Sequence, residues 1–126
     1  MLVGRRQLRT ANSWTHNVER LVRGKDACTL QLHPDDARRL GIVDGSTARV
    51  SSTAGSVELT AQVTDAILAG VVSIPYGWGH GRPGTRQGVA AAHAGTNVNV
   101  LTDANAIDPL SGNAVLNGIP VTVEPA

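Results

Sequence analysis

Residues 33–63 read HPDDARRLGIVDGSTARVSSTAGSVELTAQV, and the punctuation of this stretch gives the clearest local structure in the chain. Pro34 suits a first helical position, Asp35 and Asp36 fall in the first turn, Arg38 and Arg39 in the last, and Gly41 stands just beyond. Each agrees with the helix dipole and with the preference for proline at the start and glycine at the end. The pattern predicts a helix over 34–40, with His33 serving its start. Asp44-Gly45 then turns the chain. Residues 47–52 and 56–63 read as strands joined by a tight turn at 53–55. In the second strand Val57, Leu59, Ala61 and Val63 alternate with polar residues, the period of a half-buried strand.

Working outward, residues 2–4 and 29–32 read as short strands, and 71–74 as a continuous apolar strand ended by Pro75. Asp65 is read as the cap of a single turn over 66–69, closed by Gly70. Residues 77–96 are glycine-rich and irregular, with a helical turn at 89–94. Residues 98–101 read as a strand because Val98 and Val100 alternate with Asn97 and Asn99. Residues 103–118 read as turns, and 121–124 as a final strand. The tally is about six or seven short strands and one or two short helices. Strands this short, with connections this varied, favour a closed or nearly closed barrel over a sandwich, because closure removes exposed edges. No fixed-period repeat is visible.

Composition narrows the class. At 126 residues the chain is expected to be one domain, 1–126, long enough to bury a core without staples. The single cysteine, Cys28, excludes an internal disulfide and a cysteine-only metal cage. No run of about eighteen apolar residues exists to span a membrane as a helix. No basic-then-apolar leader opens the chain, and a cytoplasmic setting is the expectation. There is no Phe, so the core must be aliphatic, and Trp14, Trp78 and Tyr76 are free for other work. Net charge is +1 but uneven. Residues 1–26 carry six basic and two acidic groups, and the rest five basic and eight acidic. A basic N-terminal segment suits either a local anionic partner or a solvated face.

The segment GWGHGRPG at 77–84 contains a literal G-x-G-x-x-G at Gly79, Gly81 and Gly84, with Asp103 downstream. A dinucleotide-binding Rossmann unit is rejected: Thr85-Arg86-Gln87-Gly88 is a poor helix start, and too little chain follows Asp103 for a second βα unit. The glycines suit either a close backbone approach to a flat ligand or another chain, or a flexible surface loop. Trp78, with glycine on both sides, has few sequence neighbours to pack against and suits a stacking platform. His16, His33, His80 and His93 have no spacing for a metal. His16 and His80 lie in polar loops and are candidates for hydrogen bonding to a ligand. Cys28 reads as a buried, inert thiol.

Residues 5–17, RRQLRTANSWTHN, show no period and read as a long loop, the kind that tends to carry function. Arg5, Arg6 and Arg9 offer planar forks suited to phosphate. Asn12, Ser13, His16 and Asn17 can read the edge of a polar heterocycle. Trp14 adds a ring face. The combination fits a nucleotide-like or pterin-like ligand. Asn97 and Asn99 offer similar chemistry from far along the chain.

The strings GRRQLRTANSWTHN (4–17), LHPDDARRLGIVDG (32–45), VTDAILAGVVSIPYGWGH (63–80), GTNVNVLTD (95–103) and DPLSGN (108–113), in this order and spacing, resemble one known family. It is the C-terminal molybdopterin dinucleotide-binding domain of the dimethyl sulfoxide reductase, formate dehydrogenase and nitrate reductase superfamily. The resemblance implies a six-stranded double-psi β-barrel with one or two short helices. It implies molybdopterin guanine dinucleotide as cofactor in a longer parent enzyme, with the metal's protein ligand and any iron–sulfur cysteines in other domains. The implied cofactor wall comprises the first loop (Arg5, Arg6, Arg9, Asn12, Ser13, Trp14, His16 and Asn17), the 77–80 loop (Gly77, Trp78, Gly79 and His80), and Asn97 and Asn99. The implied partners are the remaining domains of the parent, with no nucleic acid and no membrane.

By this resemblance the isolated domain would be a monomer that does not catalyse alone and binds cofactor pieces weakly. Two rivals stand beside it. A pyruvoyl-dependent decarboxylase would self-cleave at Gly45-Ser46 or Gly55-Ser56, although ordinary turns are expected at both. A small RNA- or protein-binding barrel would show affinity falling steeply with salt.

Overall fold

The computed structural model describes residues 1–126. Six strands form one sheet: β1 (Leu2–Arg5), β2 (Thr29–Leu32), β3 (Thr47–Ser51), β4 (Ser56–Val63), β5 (Val72–Pro75) and β6 (Thr122–Pro125). Their spatial order is β1-β5-β2-β4-β3-β6. The pairs β1/β5 and β2/β4 are parallel, whereas β2/β5, β3/β4 and β3/β6 are antiparallel. Three short helices accompany them: α1 (Glu19–Val22), α2 (Pro34–Leu40) and α3 (Gly88–Ala92). None is long and apolar enough to cross a membrane.

The β3–β4 hairpin follows its sequence period. Ala48 faces Leu59 and Val50 faces Val57 across the ladder, and all four are buried. Glu58, on the opposite face of β4, pairs with Arg49 in the open. Such cross-strand pairs are the unit of sheet stability. β5 is buried at all four positions because it has partners on both edges. Leu2, Leu30, Leu32, Ile74 and Leu101 complete an aliphatic core.

Helix α2 occupies the predicted residues and uses the predicted caps. The His33 ring accepts from the Asp35 N–H at 3.2 Å. Gly41, at φ +69°, closes the other end as the N–H of Ile42 donates to the Ala37 carbonyl at 2.9 Å. Asp36 anchors the helix to the β4–β5 connection. It accepts from Arg39 at 2.8 Å and from the Gly70 N–H at 2.5 Å.

The structure corrects several expectations. The sheet does not close, since no ladder joins β1 to β6. Residues 117–119 cover the β1 edge instead: the Leu2 N–H donates to the Ile119 carbonyl at 2.8 Å, and the Gly4 N–H to Asn117 Oδ1 at 2.7 Å. Gly118, at φ +74°, and Pro120, with no N–H, keep this stretch from extending into a strand. Residues 98–101 form a 3₁₀ turn, not a strand. Asn97 Oδ1 accepts from the Asn99 N–H at 3.0 Å, and Val98 and Leu101, three apart, are the buried pair. The cap before the 66–69 turn is Thr64, whose hydroxyl accepts from the Ala66 N–H, not Asp65. Helix α1 lies where no element was expected.

Candidate functional site

Three stretches distant in sequence meet at one end of the sheet. The first loop turns through Ala11 (φ +42°) and Asn12 (φ +66°), left-handed conformations that L residues adopt at a cost. This bend lays the Asn12 carbonyl against Gly77, where an added β-carbon would stand 2.0 Å from the oxygen. Gly79 meets the third stretch in the same way: an added β-carbon would lie 2.5 Å from Cβ of Asn97. The N–H groups of Gly79 and His80 both donate to the Ala94 carbonyl, at 2.7 and 3.1 Å. Asn17 Oδ1 accepts from the Ala90 N–H at 3.2 Å and ties the first loop to α3. The glycines of the 77–80 loop therefore serve close backbone approach, with another part of the same chain on each side.

At the centre of the junction, His16 is 1% exposed. Its Nδ1 lies 2.7 Å from Nε2 of His80, and its ring lies 4.1 Å from that of Trp78, centroid to centroid. Its Nε2 has no hydrogen-bond partner within the chain. Burial holds His16 below the ordinary histidine pKa, the neighbouring His80 adds to that, and the backbone of Gly77 pulls weakly the other way. Trp78 Nε1 donates to Gln7 Oε1 at 3.3 Å, and Gly95 sits close against the indole. Trp78 is thus packed rather than bare, contrary to the expectation of few neighbours. Trp14, 88% exposed, is the ring that stands free.

A cleft of about 630 Å³ opens beside this cluster. Its walls come from the first loop (Gln7 to Thr10, Thr15 and His16), from residues 21–27, from Trp78 and from residues 92–95. Arg9, Arg23 and Lys25 face a single carboxylate, Asp26, so the lining is cationic. A second cleft of about 520 Å³ shares Gln7, Lys25, Asp26 and Ala27 as a common rim. It continues along Arg5, Thr29, Gln31 and Gln62.

The site residues expected from sequence divide by what they touch. Arg9, His16 and Trp78 line the larger cleft. Arg5 lines the second, but its guanidinium already donates to the Ser73 carbonyl at 2.6 Å, the Thr29 carbonyl at 2.8 Å and the Thr29 hydroxyl at 2.9 Å. Asn97 is engaged in capping its own turn. Gly77, Gly79, Asn12 and Asn17 form the seam between loops, and the Ser13 carbonyl accepts from the His16 N–H at 3.2 Å. Arg6 and Asn99 are exposed. The sequence reading missed Gln7, Arg23, Lys25, Asp26 and His93 as cleft residues. The only signal for Arg23 and Lys25 was the basic excess of residues 1–26.

The family model described as "Molydopterin dinucleotide binding domain" matches residues 1–120. The chain belongs to this family. Its sequence relatives are molybdenum enzymes of the dimethyl sulfoxide reductase family. One of them, from the tetrathionate reductase of Salmonella typhimurium, is 30% identical over 91% of this chain. The molybdopterin-containing component of the arsenate respiratory reductase of Chrysiogenes arsenatis is 31% identical over 90%. The chain spans only 13% and 14% of those two proteins. Acetylene hydratase from Pelobacter acetylenicus shares the fold, with a TM-score of 0.82 and 23% identity over 99% of this chain and 18% of that one.

Proposed function

We propose that this molybdopterin dinucleotide-binding domain grips a molybdopterin guanine dinucleotide as one wall of a cleft completed by other domains of a larger molybdenum or tungsten oxidoreductase. The observation that carries the reading is the seam at Gly77 and Gly79, which draws the first loop and the Asn97 segment together beside a cationic cleft. The residues fit such a ligand. Arg9, Arg23 and Lys25 supply positive charge for phosphate. His16 offers a buried, unpartnered ring nitrogen for a polar heterocycle. The Trp78 ring supplies a flat apolar wall beside it. When bound, the cofactor carries the metal chemistry, and the protein supplies binding, orientation and electrostatics.

Arg5 braces the site from below by holding β1 to β2 and β5. The exposed Leu8 and Trp14 suit burial against a further domain. We read the fold as the double-psi barrel of the family. Support comes from the mixture of parallel and antiparallel pairs and from the residues 117–119 that cover β1. The formate dehydrogenase or nitrate reductase type is the finer sequence resemblance. The tetrathionate and arsenate relatives favour a reductase as the parent.

Titration of the isotopically labelled chain with guanosine monophosphate or pterin-6-carboxylate, followed by amide chemical shifts, tests the binding reading. Weak binding is expected, with perturbations in residues 5–17, 77–80 and 97–102. Perturbations clustered on β3, β4 and β6 would refute it.

A further inference from the structure

The His16–His80 contact does more than join two loops. The rings lie 5.0 Å apart, centroid to centroid, and nearly perpendicular at 84°, so one ring's edge meets the other. At 2.7 Å, a hydrogen bond between Nδ1 of His16 and Nε2 of His80 holds one shared proton. Each neutral imidazole carries one N–H. A neutral pair therefore has one proton in the bridge and one on an outer nitrogen, either Nε2 of His16 or Nδ1 of His80. His16 Nε2 is buried without a partner, and an orphaned buried N–H is rarer in proteins than an under-used acceptor. The neutral pair accordingly keeps its outer proton on His80, which is partly exposed, and leaves His16 Nε2 as a bare acceptor.

Adding one proton changes this by counting alone. Three protons on four nitrogens, with one in the bridge, place a proton on both outer nitrogens. His16 Nε2 then becomes a donor, whichever ring formally holds the charge. A second added proton puts N–H groups on both sides of the contact and breaks it.

We propose that His16 and His80 form a proton-operated selector that presents the cleft with a hydrogen-bond acceptor when neutral and a donor when singly protonated. That the presented atom meets a ligand rests on the cofactor-binding reading; the selector itself does not. The charged and titratable groups lining the same cleft are Arg9, Arg23, Lys25, Asp26 and His93. Three cations against one carboxylate disfavour the extra proton, as does burial of His16, so the change falls below the ordinary histidine range. At neutral pH the cleft offers an acceptor, which suits the amino and ring N–H groups of a pterin.

Imidazole ¹⁵N spectra of the labelled chain between pH 8 and pH 4.5 test the selector. At pH 8, Nε2 of His16 is expected to show the shift of an unprotonated nitrogen and Nδ1 that of a protonated one. On acidification Nε2 gains its proton in a step shared with His80. In His80→Gln, whose amide keeps a hydrogen bond but does not titrate, the shared step is expected to vanish and His16 to titrate alone. A protonated Nε2 at pH 8, or a His16 curve unchanged by His80→Gln, overturns the proposal. The ligand arm uses pterin-6-carboxylate. Across the same step its affinity is expected to change about three- to tenfold, the worth of one hydrogen bond, and the change to be lost in His80→Gln. If the nitrogen spectra show the step but the pterin perturbs no cleft residue, the selector stands and the cofactor-binding reading falls.

Discussion

The α-carbon of Gly77 lies against the backbone carbonyl of Asn12 so closely that no side chain fits between them. Gly77 also holds φ at +87°, where an L residue is strained. Both demands act on Gly77→Ala, which is expected to destabilise the chain by about 2–4 kcal/mol in urea unfolding. Gly41→Ala is the control: φ is also positive but the space beside it is open, and about 1 kcal/mol is expected. Equal losses in the two variants would show that the seam is not tight.

Asp36 gives the fold an acid sensitivity. The Arg39 side chain, and next the Gly70 N–H, hold its carboxyl below the ordinary aspartate value. A group with a depressed folded pKa contributes stability that is fully present above the unfolded value and lost as pH falls through the folded one. Thermal stability should therefore fall as pH drops below about 4. In Asp36→Ala this acid limb is expected to be shallower, and stability at pH 7 lower by about 1–3 kcal/mol, because the Gly70 N–H loses its acceptor.

Arg5 and Arg9 should separate stability from binding. Arg5→Ala leaves the Ser73 and Thr29 carbonyls without their donor and is expected to cost about 1–3 kcal/mol of folding stability. Arg9→Ala removes an exposed cation and is expected to change stability by less than about 0.5 kcal/mol. It should nevertheless weaken guanosine monophosphate binding, with the remaining affinity less sensitive to salt. Calorimetric titration at two ionic strengths, beside urea unfolding, reads both.

The Cys28 thiol is 2% exposed, and burial pushes its pKa up. It accepts from the Thr96 N–H at 3.2 Å and has little thiolate character. Alkylation by iodoacetamide at pH 8 is expected to be negligible in the folded chain and complete in denaturant, read by intact mass.

The elements legible in the sequence are those whose signals are local. Helix α2 is bounded by residues that act on their own turn: His33 and Pro34 before it, Gly41 after it. The β3–β4 hairpin announces itself through alternation, because one face is core and the other water. Residues 98–101 misled for the converse reason. Asn-Val-Asn-Val has a strand's period, but a hydrogen bond from the Asn99 N–H to Asn97 Oδ1 winds the backbone into a turn.

The candidate site was legible as an inventory of loops but not as a set of roles. An arginine in a polar loop looks the same whether it faces a cleft, as Arg9 does, or braces three acceptors, as Arg5 does. Glycines at 77 and 79 signalled close approach without naming what approached. Trp78 looked free because its sequence neighbours are small, yet its packing partners, His16 and Gly95, are remote in sequence.

The seam through Asn12, Gly77 and Asn97 also bears on the order of folding. Long-range loop closures carry an entropic cost before their contacts repay it. The strands can register among themselves first, but the junction exists only once the polypeptide is synthesised past Asn97 and its early loop has been recruited back. Competence to hold a ligand is then among the last properties a nascent chain acquires, and a ribosome stalled before that position would present a half-woven sheet with no cradle.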